Sequence, residues 1–424
     1  MSPPAGEVLA LSDDLLAAIL ILLLVLADLG RACAACSAFR RVITSTPFLR
    51  RLHALHPPAL LGFRTFYGGF QPVEPSHPSA AAARALARAA DFRFSFLPNP
   101  GFWVVRDARG GRFLVDYDES GDGMFTKLAV CDPLFRRYVL LPPIPKDLTA
   151  AVQQHITTGF RISRLPRNRR SHVLLAPCGE EAAAADAEQP QPFRVVWMTE
   201  CATKLCSFVF YSASSQWRAT ACPSWHDLDP KMPALIRHHH ECLLPGGYAY
   251  GCFYWCLTKF LPIFKLLVLD MSTLEFSINP TSVPACRFFT EFAVVELGES
   301  RRAMILLGQS GRGTLLQCYC ANGQSHAEDA SQWVLEIENE VPLFGDADGT
   351  CMRTHNMIGD ADGTLLLQER RENSIFSDDF CCISFDFKTL QLQKVRETLA
   401  GGMGDRALPT LYTGYPPSLS SPTI

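Results

Sequence analysis

The sequence predicts a multidomain α+β chain, a small all-α helical module followed by an all-β, propeller-like (kelch-like) domain. Three observations predict it. Leu26, Leu29, Ala32, Cys33, Cys36, Phe39, Arg40 and Ile43 recur at steps of three and four, the spacing that keeps one face of a helix buried. Beyond Phe92 the pattern becomes short runs rich in Phe, Val, Leu and Tyr, broken at close intervals by Gly, Asp, Asn and Pro, the mark of strands and tight turns. Those strands repeat, with a period that suits one propeller blade.

The helical module is assigned to residues 8–61. Ser12 is a good N-cap, and Asp13 and Asp14 place negative charge where the helix dipole is positive. Thr44 to Pro47 interrupts the helical pattern, Phe48 to His56 carries a further turn, and Pro57-Pro58 ends the module. Residues 62–91 read as a linker with a short Ala-rich helix, in which Arg84 and Arg88 stand four apart.

Residues 92–424 form the β-domain. Its four clearest repeat copies are Leu128 to Pro142, Phe208 to Trp217, Leu266 to Phe276 and Cys382 to Leu392. Counted from Asp132, Tyr211, Asp270 and Asp386 the steps are 79, 59 and 116 residues, the last being twice 58. A period near 58 suits a four-stranded blade with long loops, close to the ~50 residues of kelch-like repeats. The first step is stretched by an Ala, Glu and Pro-rich insertion near 180–192 that reads as a disordered loop.

Bulk properties exclude several classes of function. The chain has 424 residues, 48% of them hydrophobic and 19% charged, with a formal net charge of -3. That balance gives no reason to expect nucleic acid as a partner. Sixteen cysteines in so long a chain fall short of a disulfide-stapled secreted domain and read as reduced. No Lys or Arg precedes the first apolar run, as a secretory signal would require, so an intracellular location, cytoplasmic and/or nuclear, is expected. The run itself, Leu15 to Ala27, would span only about 20 Å as a helix, short of the roughly 30 Å of a bilayer core, and no membrane association is expected.

No catalytic residue, metal ligand or cofactor is assigned. Cys33-Ala-Ala-Cys36 has half-site spacing but lies on a packing face with no second pair to complete a site. His238-His239-His240 with Cys242 lacks a fourth ligand and reads as a loop. The duplicated Gly345-Asp-Ala-Asp-Gly-Thr350 and Gly359-Asp-Ala-Asp-Gly-Thr364 lack the later ligands of a calcium loop, and Asp-Gly marks them as hairpin turns, as it does Asp122-Gly123. Arg161, Arg164, Arg167, Arg169 and Arg170 form the one dense basic cluster, either a solvated loop or a contact for an acidic partner or import factor. Gly308-Gln-Ser-Gly311 misses the hydrolase elbow at Arg312.

The stretches Leu11-Ser-Asp-Asp-Leu-Leu16, Ile19-Leu20, Leu26-Ala-Asp-Leu29, Arg31-Ala-Cys-Ala-Ala-Cys36, Phe39-Arg-Arg-Val-Ile43, Phe48-Leu-Arg50 and Leu55-His-Pro-Pro58 resemble the plant F-box family, in particular its grass members. The ending Tyr412 to Ile424 is similar to the end of their F-box-associated domains. The resemblance implies a non-catalytic substrate receptor of a Skp-cullin-F-box ubiquitin ligase. Its helices would bind the Skp-type adaptor, and through it a cullin-RING ligase, while the β-domain holds an unknown protein substrate. The adaptor-binding residues expected are Leu11, Leu15, Leu16, Ile19, Leu20, Leu26, Leu29, Cys36, Phe39 and Arg40. So much apolar surface exceeds what about fifty residues bury alone. Where the family has Arg-Leu-Pro, this chain has Leu22-Leu23-Leu24, and without the proline the first helix is expected to extend. The alternatives are a degenerate F-box scaffold without ligase binding, and an enzyme built on a β-propeller.

Overall fold

The computed structural model describes residues 11–23, 26–55, 58–65, 69–101, 103–118, 124–154, 171–177, 192–201, 203–230, 243–257, 263–284, 289–298, 301–310, 313–322, 333–340, 353–361, 364–371, 380–386, 389, 391–399, 409–415, 417 and 424. The insertion from 180 to 191, the Arg161 to Arg170 cluster, Asp122-Gly123, His238 to Cys242 and Gly345 to Thr350 lie outside them.

Four helices open the chain: α1 (Asp13–Leu20), α2 (Leu26–Ala35), α3 (Ser37–Ile43) and α4 (Thr46–Leu55). The Ser12 side chain accepts from the Leu15 amide and caps α1. The expected extension of this helix through Leu22 does not occur. After the C-cap at Ile21 the chain closes with tighter bonds, Leu22 N to Ile19 O and Leu23 N to Leu20 O. Nor is the next helical face continuous, because Cys36 is extended (φ -147°) and serves as N-cap of α3. Leu16, Leu20, Leu29, Val42, Ile43, Phe48 and Leu52 meet in the module's core, and Tyr415 from the far end of the chain packs against it.

The remaining strands build a six-bladed β-propeller. Strands β1 (Ala59–Thr65) and β2 (Gly69–Pro72) come first, then helix α5 (Ala80–Ala89). The first full blade is β3 (Val104–Arg109), β4 (Arg112–Tyr117), β5 (Lys127–Asp132) and β6 (Arg137–Leu140), followed by helix α6 (Lys146–Gln153). The second is β7 (His172–Pro177), β8 (Phe193–Glu200), β9 (Leu205–Tyr211) and β10 (Gln216–Ala219), followed by helix α7 (Trp225–Leu228). The third is β11 (Leu243–Ala249), β12 (Cys252–Leu257), β13 (Ile263–Asp270) and β14 (Phe276–Pro284). The fourth is β15 (Phe289–Gly298), β16 (Arg301–Ser310), β17 (Gly313–Asn322) and β18 (Val334–Glu340). The fifth is β19 (Arg353–Ala361), β20 (Thr364–Arg371), β21 (Phe380–Asp386) and β22 (Leu392–Leu399). Strand β23 (Thr410–Gly414) completes a three-stranded sixth sheet in the order β2-β1-β23.

This last sheet corrects the expected boundaries. Residues 62–91 are not a linker, since β1 crosses the expected junction at 61 and pairs with β23, Ala59 opposite Gly414 and Arg64 opposite Thr410. The propeller therefore begins at Ala59 and joins its two chain ends within one blade. Periodicity could not reveal this, because β1 pairs with a strand some 350 residues away. The Ala-rich segment forms α5, which lies over β1 and β2. The first strand of each full blade lines the axis, with β23 flanked by β3 and β19.

The sequence repeat has a structural cause. Its four copies are the third and fourth strands of the first, second, third and fifth blades, and the doubled step passes over β17 and β18 of the fourth. At the end of β5 the Asp132 carboxylate accepts the amides of Leu134 and Phe135, and at the end of β13 Asp270 accepts those of Ser272 and Thr273. Asp386 likewise accepts the Thr389 amide. Four residues after the repeat's reference positions, Arg136, Ser215 and Leu274 adopt left-handed φ values of 54°, 52° and 60°. The first three blades thus share a left-handed turn residue, and the first, third and fifth share an acidic side chain that staples the turn.

Core packing runs between blades. Apolar clusters join first to second, second to third, third to fourth and fourth to fifth blades. A further cluster joins the sixth sheet to its neighbours on either side. In that seam the Tyr412 ring lies 5.6 Å from Phe113 in a stacked arrangement and edge-on to Phe92 at 5.1 Å. Removing the ring by Tyr412→Ala should cost about 3–5 kcal/mol, as for other large buried aromatics. Tyr412→Phe, which keeps the ring, should cost far less, and chemical denaturation followed by far-UV circular dichroism would measure both.

Candidate functional site

Helix α1 places its apolar residues on two sides. Leu16 and Leu20, four apart, point into the module's core and are 3% and 5% exposed. Leu11, Leu15 and Ile19, also at steps of four, are 37%, 54% and 53% exposed, and Leu22 extends the row at 73%. The expected adaptor-binding residues therefore divide. Leu16, Leu20 and Leu29 hold the module together and are not available to a partner. Cys36 and Phe39 are half-buried, and exposed Arg40 donates from Nε to the Cys33 carbonyl at 3.2 Å. Leu26 lies in α2, with a side chain outside the described residues. Leu22 was missed because nothing in the sequence shows that the helix ends before it.

The module is tied to the propeller at both ends of the chain. Helix α4 leads through 56–58 into β1, while Tyr415, just after β23, packs on the helical core. Burial there pushes the Tyr415 phenol up to about 12.

A second group lies where the inner strands end around the axis. Arg109 closes β3; its Nε donates to the Leu175 carbonyl of β7 at 3.1 Å, and its guanidinium lies 4.6 Å above the Tyr248 ring of β11. Asp107 accepts the Leu175 amide at 2.8 Å and also the Ala108 amide, fastening the first blade to the second. Asp360 of β19 interacts electrostatically with Arg109 and with Glu296 of β15, whose carboxylate accepts the Tyr250 amide. Burial raises the Asp107 carboxyl, against the pull of Arg109. Asp360 itself is exposed. Sequence reasoning missed this group because its members come from four separate blades, and only Asp360 falls in a noticed motif.

Of the weighed motifs, Gly359 to Thr364 lies at the β19 and β20 hairpin, which pairs up to Ala361 opposite Thr364. Cys33 is buried in the helical core and Cys36 caps a helix. Among the described residues, no three His, Cys, Asp or Glu side chains converge as metal ligands, and no helix is long and apolar enough to cross a membrane.

No family model and no curated protein matches the chain. Among solved structures it is similar to a mutant lectin of Aleuria aurantia in complex with alpha-methyl-L-fucoside. The two are 13% identical, with 72% of this chain and 79% of that one covered and a TM-score of 0.37. It is also similar to a GH43 beta-1,3-galactosidase with galactodeoxynojirimycin, at 9% identity, 71% and 94% coverage and a TM-score of 0.36. A third is the alpha-L-arabinofuranosidase of Podospora anserina in complex with cellotriose, at 10% identity, 65% and 86% coverage and a TM-score of 0.33. The six-bladed architecture rests on the strand pairing described above.

The raised Asp107 carboxyl gives the fold a pH dependence of known sign. A carboxyl whose pKa is higher folded than unfolded favours the protonated native state, so stability present at low pH is lost as pH rises through the raised value. Asp107→Asn removes that loss. The variant should match the native chain at pH values below the ordinary aspartate range and exceed it at neutral pH, as denaturation midpoints measured across a pH series would show.

Proposed function

We propose that this chain is a non-catalytic adaptor, an F-box-type substrate receptor that docks a Skp-type adaptor through α1 and presents a protein substrate on its propeller. One observation carries the reading, the exposed apolar row Leu11, Leu15, Ile19 and Leu22 on a helix whose opposite side is already buried. Such a row on a surface helix suits a complementary groove, a common mode of helix recognition. The resemblance of residues 9 to 61 to the F-box pattern names the groove's owner. The cullin-RING ligase would join through that adaptor, and an intracellular setting goes with it. The propeller adds a stiff scaffold whose loops and axial opening can hold a second protein at a set distance from the docking face.

The charged group around Arg109 favours a second reading, a propeller that binds a small polar ligand at its axis, with or without chemistry on it. The Asp107 and Asp360 carboxylates offer acceptors there and the Arg109 guanidinium offers donors.

Titration of the full-length chain with purified Skp-type adaptor, read by isothermal calorimetry, tests the first reading. Leu15→Asp combined with Ile19→Asp should weaken binding by about 30-fold or more, the effect of losing one 2 kcal/mol anchor, while leaving the fold intact. Absence of binding by the native chain would remove the adaptor reading and leave the axial group as the functional centre.

A further inference from the structure

The hairpin of β8 and β9 brings three thiols together. Thr199 pairs with Cys206 and Glu200 with Leu205, so Cys201, two residues beyond Thr199, shares a face with Cys206 across the diagonal. Their Sγ atoms are 3.6 Å apart, and both thiols are free. A disulfide closes that gap to about 2.05 Å. Cys206 and Cys201 are only 2% and 5% exposed, whereas Cys222, next to them, is half-buried and opens the cluster toward solvent. The tip is held from behind by the turn that leads into α7. Leu205 N donates to the Pro223 carbonyl, Trp225 N to the Thr203 carbonyl, and the Trp225 indole to the Cys201 carbonyl at 3.0 Å.

We propose that Cys201 and Cys206 form a reversible dithiol–disulfide site that takes a hydroperoxide as its oxidant. Cys201 is the attacking sulfur, since the neighbouring Cys206 thiol stabilises its thiolate and lowers its pKa with help from Lys204. Cys206, held in the protonated form with its pKa raised to about 11, is the resolving sulfur. The Cys201 thiolate attacks the hydroperoxide's terminal oxygen. An S–O bond forms, the O–O bond breaks, and the departing alkoxide takes up the proton that Cys201 released. Cys206 sulfur then attacks the sulfenic acid. The S–S bond forms, the S–O bond breaks, and water leaves with the Cys206 proton. In total two thiols lose two electrons while the hydroperoxide is reduced to an alcohol and water. The closed loop is short, so the bond adds less to global stability than one that closes a long loop. It also fixes the hairpin tip on which Trp225 and α7 rest, between the second and third blades.

Trypsin reads this site directly, because it cuts after Arg194, Lys204 and Arg218 and so places Cys201, Cys206 and Cys222 on three different peptides. The full chain is treated with stoichiometric hydrogen peroxide, its free thiols are alkylated, and the non-reduced digest is read by mass spectrometry. Expected is peptide 195–204 linked to 205–218, about two mass units below their sum. The link should vanish with dithiothreitol, be absent in Cys201→Ser and persist in Cys222→Ser. Because a variant can fail to fold, the native chain decides. If its two peptides stay unlinked, whether alkylated or over-oxidised, or if 205–218 links instead to 219–231, the proposal is overturned.

Discussion

Everything in this molecule depends on the pairing of β1 with β23. A ring of blades has an inner edge and a seam, and the seam must be closed against the entropy of bringing distant segments together. Here the C-terminal strand supplies the axial position of the sixth sheet and the N-terminal strands its outer positions. The aromatic group of Phe70, Phe92, Phe113 and Tyr412 fills the space behind the pairing, and apolar residues of the fifth blade close the other side. The seam is thus sealed by backbone bonds along its edge and by rings packed across it.

The same seam sets where the helical module stands. The module enters the propeller directly through β1 and is met by Tyr415 as the chain leaves β23, so one covalent connection and one packing contact hold it at the closing blade. The exposed apolar row on α1 is thereby placed beside the closing blade. The adaptor reading gains its plausibility from this geometry together with the exposed row on α1, and both features are independent of the thiol pair in the second blade.

Around the ring, the recurring acidic turn does much of the local ordering. An Asp at the end of the third strand satisfies amides that a tight turn leaves without sheet partners, and a left-handed residue four positions later brings the chain back into register. Because the first, third and fifth blades place the Asp at the same point, and the second keeps the left-handed residue there, a weak sequence period survives even where loops differ greatly in length.

The sequence by itself determined what depends on neighbours a few residues apart. Ser12 capping, the presence of α5 in the Ala-rich segment, the strand character beyond Phe92 and the turn signature behind the blade repeat were all readable, since each follows from local hydrogen bonding or side-chain periodicity. Tertiary structure alone decided which side of α1 is free, because Leu15 and Leu16 are chemically identical and only contact with Ile43 and Leu52 makes the second a core residue. It alone made 59–65 a strand of the closing blade, since β pairing depends on a partner that no local pattern specifies. It also assembled Asp107, Arg109, Tyr248, Glu296 and Asp360 from four strands at the axis, where the ring converges residues that are up to about 250 positions apart in the chain.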